Sequence, residues 1–252
     1  MLHSRTSLQT EDVTTLISTR GGNYSVACAI DFSKPPLFYD TFALRDASGT
    51  EPITQTWPYF LAAESRNAIK SNFPVPVKSC WNGIVVFQAS SFYEVPSLRF
   101  RGISDSLARY HLEGSECCLI HADNPLSATS GVWLNPNVRV SYNIEADKIV
   151  NPKAGKWPSK MEILEGVWSN RWARWTRVPR RYLERFVVNR RVRLWRLEMR
   201  KRGHKEVREE GIFCLINEMQ VLVENGWAHI QWYSETYSRI PTLNICFLQQ
   251  AS

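Results

Sequence analysis

Two imidazoles, three carboxylates and two thiols fall within the thirteen residues His111-Leu-Glu-Gly-Ser-Glu-Cys-Cys-Leu-Ile-His121-Ala-Asp123. Upstream, Ser79-Cys-Trp-Asn-Gly-Ile-Val-Val-Phe87 is an apolar, strand-like run broken at Asn82-Gly83, where a backbone or a ligand can approach closely. Acids and imidazoles beside a glycine-gapped strand suit an anionic or metal-bound ligand. Ser115 reads as the cap of a helix opening at Glu116, an arrangement that aims free backbone N–H groups at an anion. This reading requires Glu116 and Asn82-Gly83 to meet around one cavity.

Other chemistries fit less well. His111-Leu-Glu113 followed by cysteines departs from the zinc deaminase signature, because Cys117 and Cys118 are adjacent and no proline precedes them. The acids around those thiols argue against a thiolate nucleophile, so both cysteines read as buried thiols. No Gly-x-Ser-x-Gly elbow, His-Glu-x-x-His pair or phosphate-binding loop occurs. Six cysteines without a Cys-x-x-Cys pair are too few for a disulfide scaffold and wrong for a zinc knuckle.

These residues need elements to place them. Thr10-Glu-Asp starts a helix that ends at Gly21-Gly22, and Tyr24 to Ile30 reads as a short buried strand emerging at Asp31. A long loop from Ser33 to Tyr59 follows, carrying Asp40, Arg45 and Asp46, and its length argues for function. Phe60 to Ser71 is expected as helix, Val77 to Phe87 as an interrupted strand, and Gly131 to Val140 as another strand. From Lys160 the chain turns helical and basic, with Pro179 a helix start. Phe213 to Glu224 is expected as a final helix stopped by Asn225-Gly226 and packed back on the core. Strands alternating with helices indicate an α/β layer over 1–150 and a helical appendage over 151–252.

The net charge of +7 is unevenly spread: Arg171 to Arg208 holds fifteen Lys or Arg against three Glu, which leaves the remainder acidic. Trp168, Trp172 and Trp175 recur there at helical spacing among arginines, which reads as a packing face with a solvated cationic side. An anionic membrane surface is the next reading, and nucleic acid the least favoured, since no reader motif accompanies the charge. No run of eighteen apolar residues exists, and Met1 to Ser7 has no apolar signal core.

Seven segments carry a resemblance: Asn23 to Phe32, Phe38 to Asp46, Trp57 to Phe60, Ser79 to Gly83, Leu112 to Asp123, Asn135 to Val140, and Cys214 to Trp227. In this order they resemble the fungal capsule-associated α-1,3-mannosyltransferase family, the cryptococcal mannosyltransferase-like group. The resemblance implies a partial GT-A-like glycosyltransferase domain that moves mannose from GDP-mannose to a glycan hydroxyl, with retention, in the secretory pathway (Golgi). It implies Glu116 and Asp31 as catalytic carboxylates, and Trp81, Asn82, Gly83, Asp40, Arg45 and Asp46 on the donor side. His121, with Asp31 or Asp40, would support Mn2+ or Mg2+ to neutralise the diphosphate leaving group. The residues alone allow plainer roles: Asp31 as a loop-pinning acceptor, the Asp40–Asp46 charges as salt bridges, Trp81 as core, and His121 as a structural histidine. The family's upstream acidic motif and anchor are not in this sequence, so the alternative is a non-catalytic relative or a membrane-surface binder acting through Arg171 to Arg208.

Overall fold

The computed structural model describes residues 10–204, 207–223, 226–231 and 244–246. Met1 to Ser7, read above for a signal, lies outside them. The chain forms two compact units, Met1–Arg101 with Ser115–Pro179, and Gly102–Gly114 with Arg180–Ser252. The division therefore does not fall at residue 150. Among the described residues no helix is long and apolar enough to cross a membrane.

The first unit is mixed α/β. In chain order its elements are α1 (Thr10–Ile17), β1 (Val26–Lys34), β2 (Leu37–Phe38), β3 (Arg45–Asp46), α2 (Ala63–Lys70), β4 (Val75–Ser79), β5 (Val85–Phe87) and α3 (Ser90–Tyr93). The short α4 (Asp105–Ala108) and β6 (Glu113–Gly114) belong to the second unit; α5 (Glu116–Asp123), β7 (Val132–Ser141) and α6 (Ile144–Val150) return to the first. One sheet runs β2-β1-β7-β4-β3, with β5 also paired to β1. Strand β1 is parallel to β7, whereas β4 is antiparallel to β7.

Strand β1 is buried from Val26 through Phe32, and its alternation divides the core. Val26, Cys28, Ile30 and Phe32 join Leu134, Val75, Phe60 and Ile69 on one face. Ala27 and Ala29 join Leu16, Tyr24, Val138 and Val140 on the other. Asp31 shares that second parity. It therefore sits inside the strand, not at its end as the apolar run suggested. Cys28 and Cys80 are fully buried and joined by a disulfide, a pairing that spacing alone did not reveal.

Strand β7 is not in simple register with its parallel neighbour. From Cys28 to Ile30, β1 advances two residues while β7 advances five, from Leu134 to Arg139. The excess sits at Asn135-Pro136-Asn137. Pro136 has no N–H for a ladder, and Asn135 ties the looped-out stretch to Thr19 Oγ1 at 2.9 Å. Asn137 N–H in turn donates to Asn135 Oδ1 at 3.0 Å. This offset brings Val140 opposite Asp31.

Helix α7 (Lys160–Lys201) opens on a reciprocal cap: Ser159 N–H donates to Glu162, and Glu162 N–H to Ser159 Oγ. Pro179 lies inside this helix rather than starting one. Its missing N–H forfeits an internal bond, and Pro179 lies on an exposed stretch of the helix, where the chain continues helical on both sides. Within the first unit, α7 turns Gly166, Asn170 and Ala173 inward. A Cβ on Gly166 would meet the Trp57 carbonyl oxygen at 1.9 Å, so only glycine permits this approach.

The second unit packs Leu107 and Leu112 against Val188, Val192 and Trp195 of α7 and Leu215 of β8 (Leu215–Ile216). Trp195 Nε1–H donates to Ser106 Oγ at 3.0 Å. Beyond β8 the expected final helix is absent. The chain instead forms β9 (Glu218–Val223) and β10 (Gly226–Gln231), an antiparallel pair flanked by β11 (Asn244–Cys246). Met219, Val221 and Val223 alternate along β9, and Asn225-Gly226, read above as a helix stop, is equally a hairpin signal. Glu224 and Asn225 themselves lie outside the described residues.

Candidate functional site

The site forms where β1 changes partner. Its first residues, Val26 to Cys28, pair with β5, and Phe32 and Lys34 pair with β2. Between them the segment Asn82-Gly83-Ile84 closes in, and Ala29 N–H donates to the Ile84 carbonyl at 2.9 Å. Gly83 adopts φ +73°, and a Cβ there would lie 2.9 Å from Val140 Cβ and 3.2 Å from Asp31 Cβ. Asn82-Gly83 is thus the connection between two strands, held flush against a third.

This approach buries a carboxylate network. Asp31 is 1% exposed. Its Oδ1 accepts from Asn82 Nδ2 at 2.8 Å and from Asp40 N–H at 3.2 Å, while Oδ2 accepts from the Tyr142 hydroxyl at 2.9 Å. Asn82 Nδ2 also donates to the Asp40 carbonyl at 2.9 Å. Asp40 Oδ1 accepts from the N–H groups of Phe42 and Ala43 at 2.9 and 3.3 Å. Tyr39 meets Tyr142 edge-on, ring centroids 5.2 Å apart.

Burial raises the pKa of Asp31, opposed by its three hydrogen-bond donors. Burial first, then the Asp31 charge, pushes Asp40 up to about 6, although its surface is only half-covered. Two neighbouring carboxyls in low dielectric resist carrying two charges. A raised folded-state pKa gives stability that is complete below the unfolded value of about 4 and lost as pH rises through about 6. Asp40→Asn removes this component. The melting-temperature difference, variant minus wild type, therefore rises between about pH 4 and pH 7; a flat difference counts against the shift.

Helix α5 brings further groups near. Ser115 is extended and precedes Glu116 as expected, but its hydroxyl makes no capping bond. Glu116 is exposed. Among the described residues no hydrogen bond or ion pair joins it to Asn82 or Gly83; what links it to the network is the charge it shares with Asp40 at Cys117, a half-buried free thiol. Burial, then the charges of Asp40 and Glu116, push that thiol up to about 11. Cys117 is therefore an unreactive thiol, in line with the acids around it. Cys118 is disulfide-bonded, not the thiol expected from sequence.

The remaining residues divide. Arg45 is 2% exposed and donates to the Phe42 and Leu44 carbonyls, with Glu51 at 3.5 Å. Its charge eases ionisation of Asp40. Asp46 has both oxygens engaged: Oδ1 with Ser48 and Thr50, Oδ2 with Ala62 N–H at 2.8 Å. Trp81 packs on Phe87 and Phe100. His121 stacks on Phe87, and its Nε2–H donates to the Cys80 carbonyl at 2.7 Å. Burial holds its pKa down at about 4, so the ring is neutral, and Nδ1 is enclosed without a partner.

Among the described residues no three His, Cys, Asp or Glu side chains assemble as a metal site. The surroundings of His121 are aromatic, so they do not fit the expected role with Asp31 or Asp40. Sequence reading missed Tyr142, which lies just past β7 and reaches Asp31 only because of the strand offset.

Comparisons bear on this unit. Residues 6–123 match the family model described as cryptococcal mannosyltransferase 1. The alpha-1,3-mannosyltransferase CMT1 of Cryptococcus neoformans is 26% identical over 153 residues, covering 56% of this chain. The match spans only about a third of that enzyme, 32% of its length. No solved structure matches. The matched region holds Asp31, Asp40, Asn82, Gly83 and Glu116 together, and over it this chain is similar to the cryptococcal mannosyltransferase family.

Proposed function

We propose that the first unit is a glycosyltransferase-type domain of GT-A character that moves mannose from GDP-mannose to a glycan hydroxyl. One observation carries the reading: the family match contains the buried Asp31–Asn82–Asp40 network, in which a carboxyl is held near neutrality at a partly open surface. Asp31 is buried with both oxygens engaged, so it positions Asn82, Tyr142 and the Asp40 backbone rather than touching sugar. Asp40 is the group that meets substrate. With a pKa of about 6, it holds a sugar hydroxyl by hydrogen bond and takes up or releases a proton at working pH. Tyr39 and Tyr142 present ring edges and faces beside it, suited to the apolar side of a pyranose. Glu116, exposed at the start of α5, would orient the acceptor in this reading. A divalent ion would neutralise the diphosphate as it leaves; no step assigned here to the chain's own residues runs through it. A secretory location agrees with the disulfide in the core, because such bonds persist in oxidising compartments.

The test is GDP release from GDP-mannose by the purified chain, with and without Mn2+. Turnover is expected, and Asp40→Asn is expected to reduce it by about a hundredfold, within the range of a lost acid–base group, without lowering the melting temperature at pH 7. No turnover, together with no donor-induced rise in melting temperature, rejects the enzyme and leaves a non-catalytic relative.

A further inference from the structure

The sequence reading made the tryptophan face of α7 a packing face, and the structure overturns it. Gly166, Asn170 and Ala173 face the first unit's core, so residues half a turn away point outward. Met161, Leu164, Trp168, Trp172 and Trp175, spaced three and four apart, are 64%, 55%, 57%, 66% and 69% exposed. Five large apolar side chains along one stripe exceed the scattered exposure normal for a soluble surface.

The composition of the stripe points to what covers it. Three of its five members are tryptophan, the residue that prefers the boundary between hydrocarbon and water. Arginine is interleaved with them, and the Arg171 guanidinium lies 4.8 Å from the Trp168 ring centroid. Protein–protein interfaces also take tryptophan, methionine and arginine, so the unbalanced excess of cations makes the choice: it calls for an anionic surface, and an interfacial membrane helix joins aromatics to such an excess. Along the stripe, from Met161 to Trp175, acid is confined to the first turns. Glu162 is engaged by the Ser159 cap, and Glu165 precedes the first tryptophan. From Arg171 onward the sequence carries fifteen cations against three acids up to Arg208, which supplies long-range attraction to a negative surface. We propose that this outward face of α7 seats on an anionic lipid surface, with Trp168, Trp172 and Trp175 in the headgroup layer and Arg171 on lipid phosphates.

The experiment is cosedimentation of the full chain with phosphatidylcholine vesicles, and with vesicles containing about 30% phosphatidylserine, over about 0.1 to 0.5 M salt. Binding is expected to the anionic vesicles only, weakening as salt rises, with a blue shift of tryptophan emission. The variant Trp168→Ala/Trp172→Ala/Trp175→Ala is expected to bind at least tenfold more weakly at every salt concentration and to lose the blue shift. Because these side chains are exposed, its melting temperature stays within about 2 °C of wild type. Equal binding by variant and wild type overturns the proposal, as does absence of binding to anionic vesicles. An RNA oligonucleotide that binds when vesicles do not reassigns the cations and overturns the lipid surface. A wild-type dimer that the triple variant converts to monomer, again without vesicle binding, assigns the stripe to a second copy.

Discussion

Removing the Cys28–Cys80 disulfide destabilises the first unit by about 4 kcal/mol, the chain-entropy value for a closed loop of this size. The bond joins residues 52 apart in sequence, and both partners are fully buried in the larger core cluster. It spans β1 to the residue just after β4, and so fixes where Trp81-Asn82-Gly83 leaves the sheet. Cys28→Ala/Cys80→Ala is expected to melt roughly 10 °C lower than the oxidised wild type. Reductant should lower the wild-type transition by a similar amount and leave the double variant's much less affected. A wild-type protein indifferent to reductant would show that the pairing contributes nothing. Because the bond tethers the Asn82 segment, the double variant is also expected to lose the hydrogen bonds that hold Asp31, and activity should fall further than stability does.

The second large effect is at Gly83. Substituting alanine there costs about 2–5 kcal/mol, from two sources with separate physical causes. One is the φ of +73°, which an L side chain tolerates poorly. The other is contact: the new methyl would stand 2.9 Å from Val140 Cβ, 3.1 Å from Val140 Cγ2 and 3.2 Å from Asp31 Cβ. Gly22 separates the two, since it has φ +84° and nothing within 4 Å. Gly22→Ala is expected to lose only the backbone share, about 1–2 kcal/mol, and to leave any activity intact. Gly83→Ala should lose more stability and displace Asp31 as well. Equal costs for the two variants in denaturant titrations would mean that the contact with Val140 and Asp31 yields without strain.

Much of the sheet and most of the helices were legible from residue order. The helix opening at Thr10, the positive-φ glycines Gly21-Gly22 that end its trailing turn, the helix before Ser71 and the strand ending near Val140 all follow local rules that the structure obeys. What failed was non-local. Asp31 broke an apolar run and so read as a strand end; its partners, Asn82 and Tyr142, lie 51 and 111 residues away. Phe213 to Glu224 has apolar spacing that satisfies helix and strand alike, and the choice was made by pairing with Gly226–Gln231. The grouping of Asp31, Asp40 and Asn82 was within reach, since all were singled out as candidates. The enclosure of His121 by Phe87 and the Cys80 carbonyl was not, because a histidine beside acids in sequence need not face them in space.

The three looped-out residues of β7 act as a vernier on the site. Upstream of them the strand is locked to β4 and β1 by the core; downstream, every residue through Tyr142 is set by how much chain is stored in the extrusion. Lengthening or shortening Asn135-Pro136-Asn137 would slide the tyrosine hydroxyl along β1 while the hydrophobic layers stayed assembled. Insertions and deletions at this spot, more than point substitutions around the carboxylates, are therefore the direct route by which relatives of this chain could change what Tyr142 presents beside Asp31.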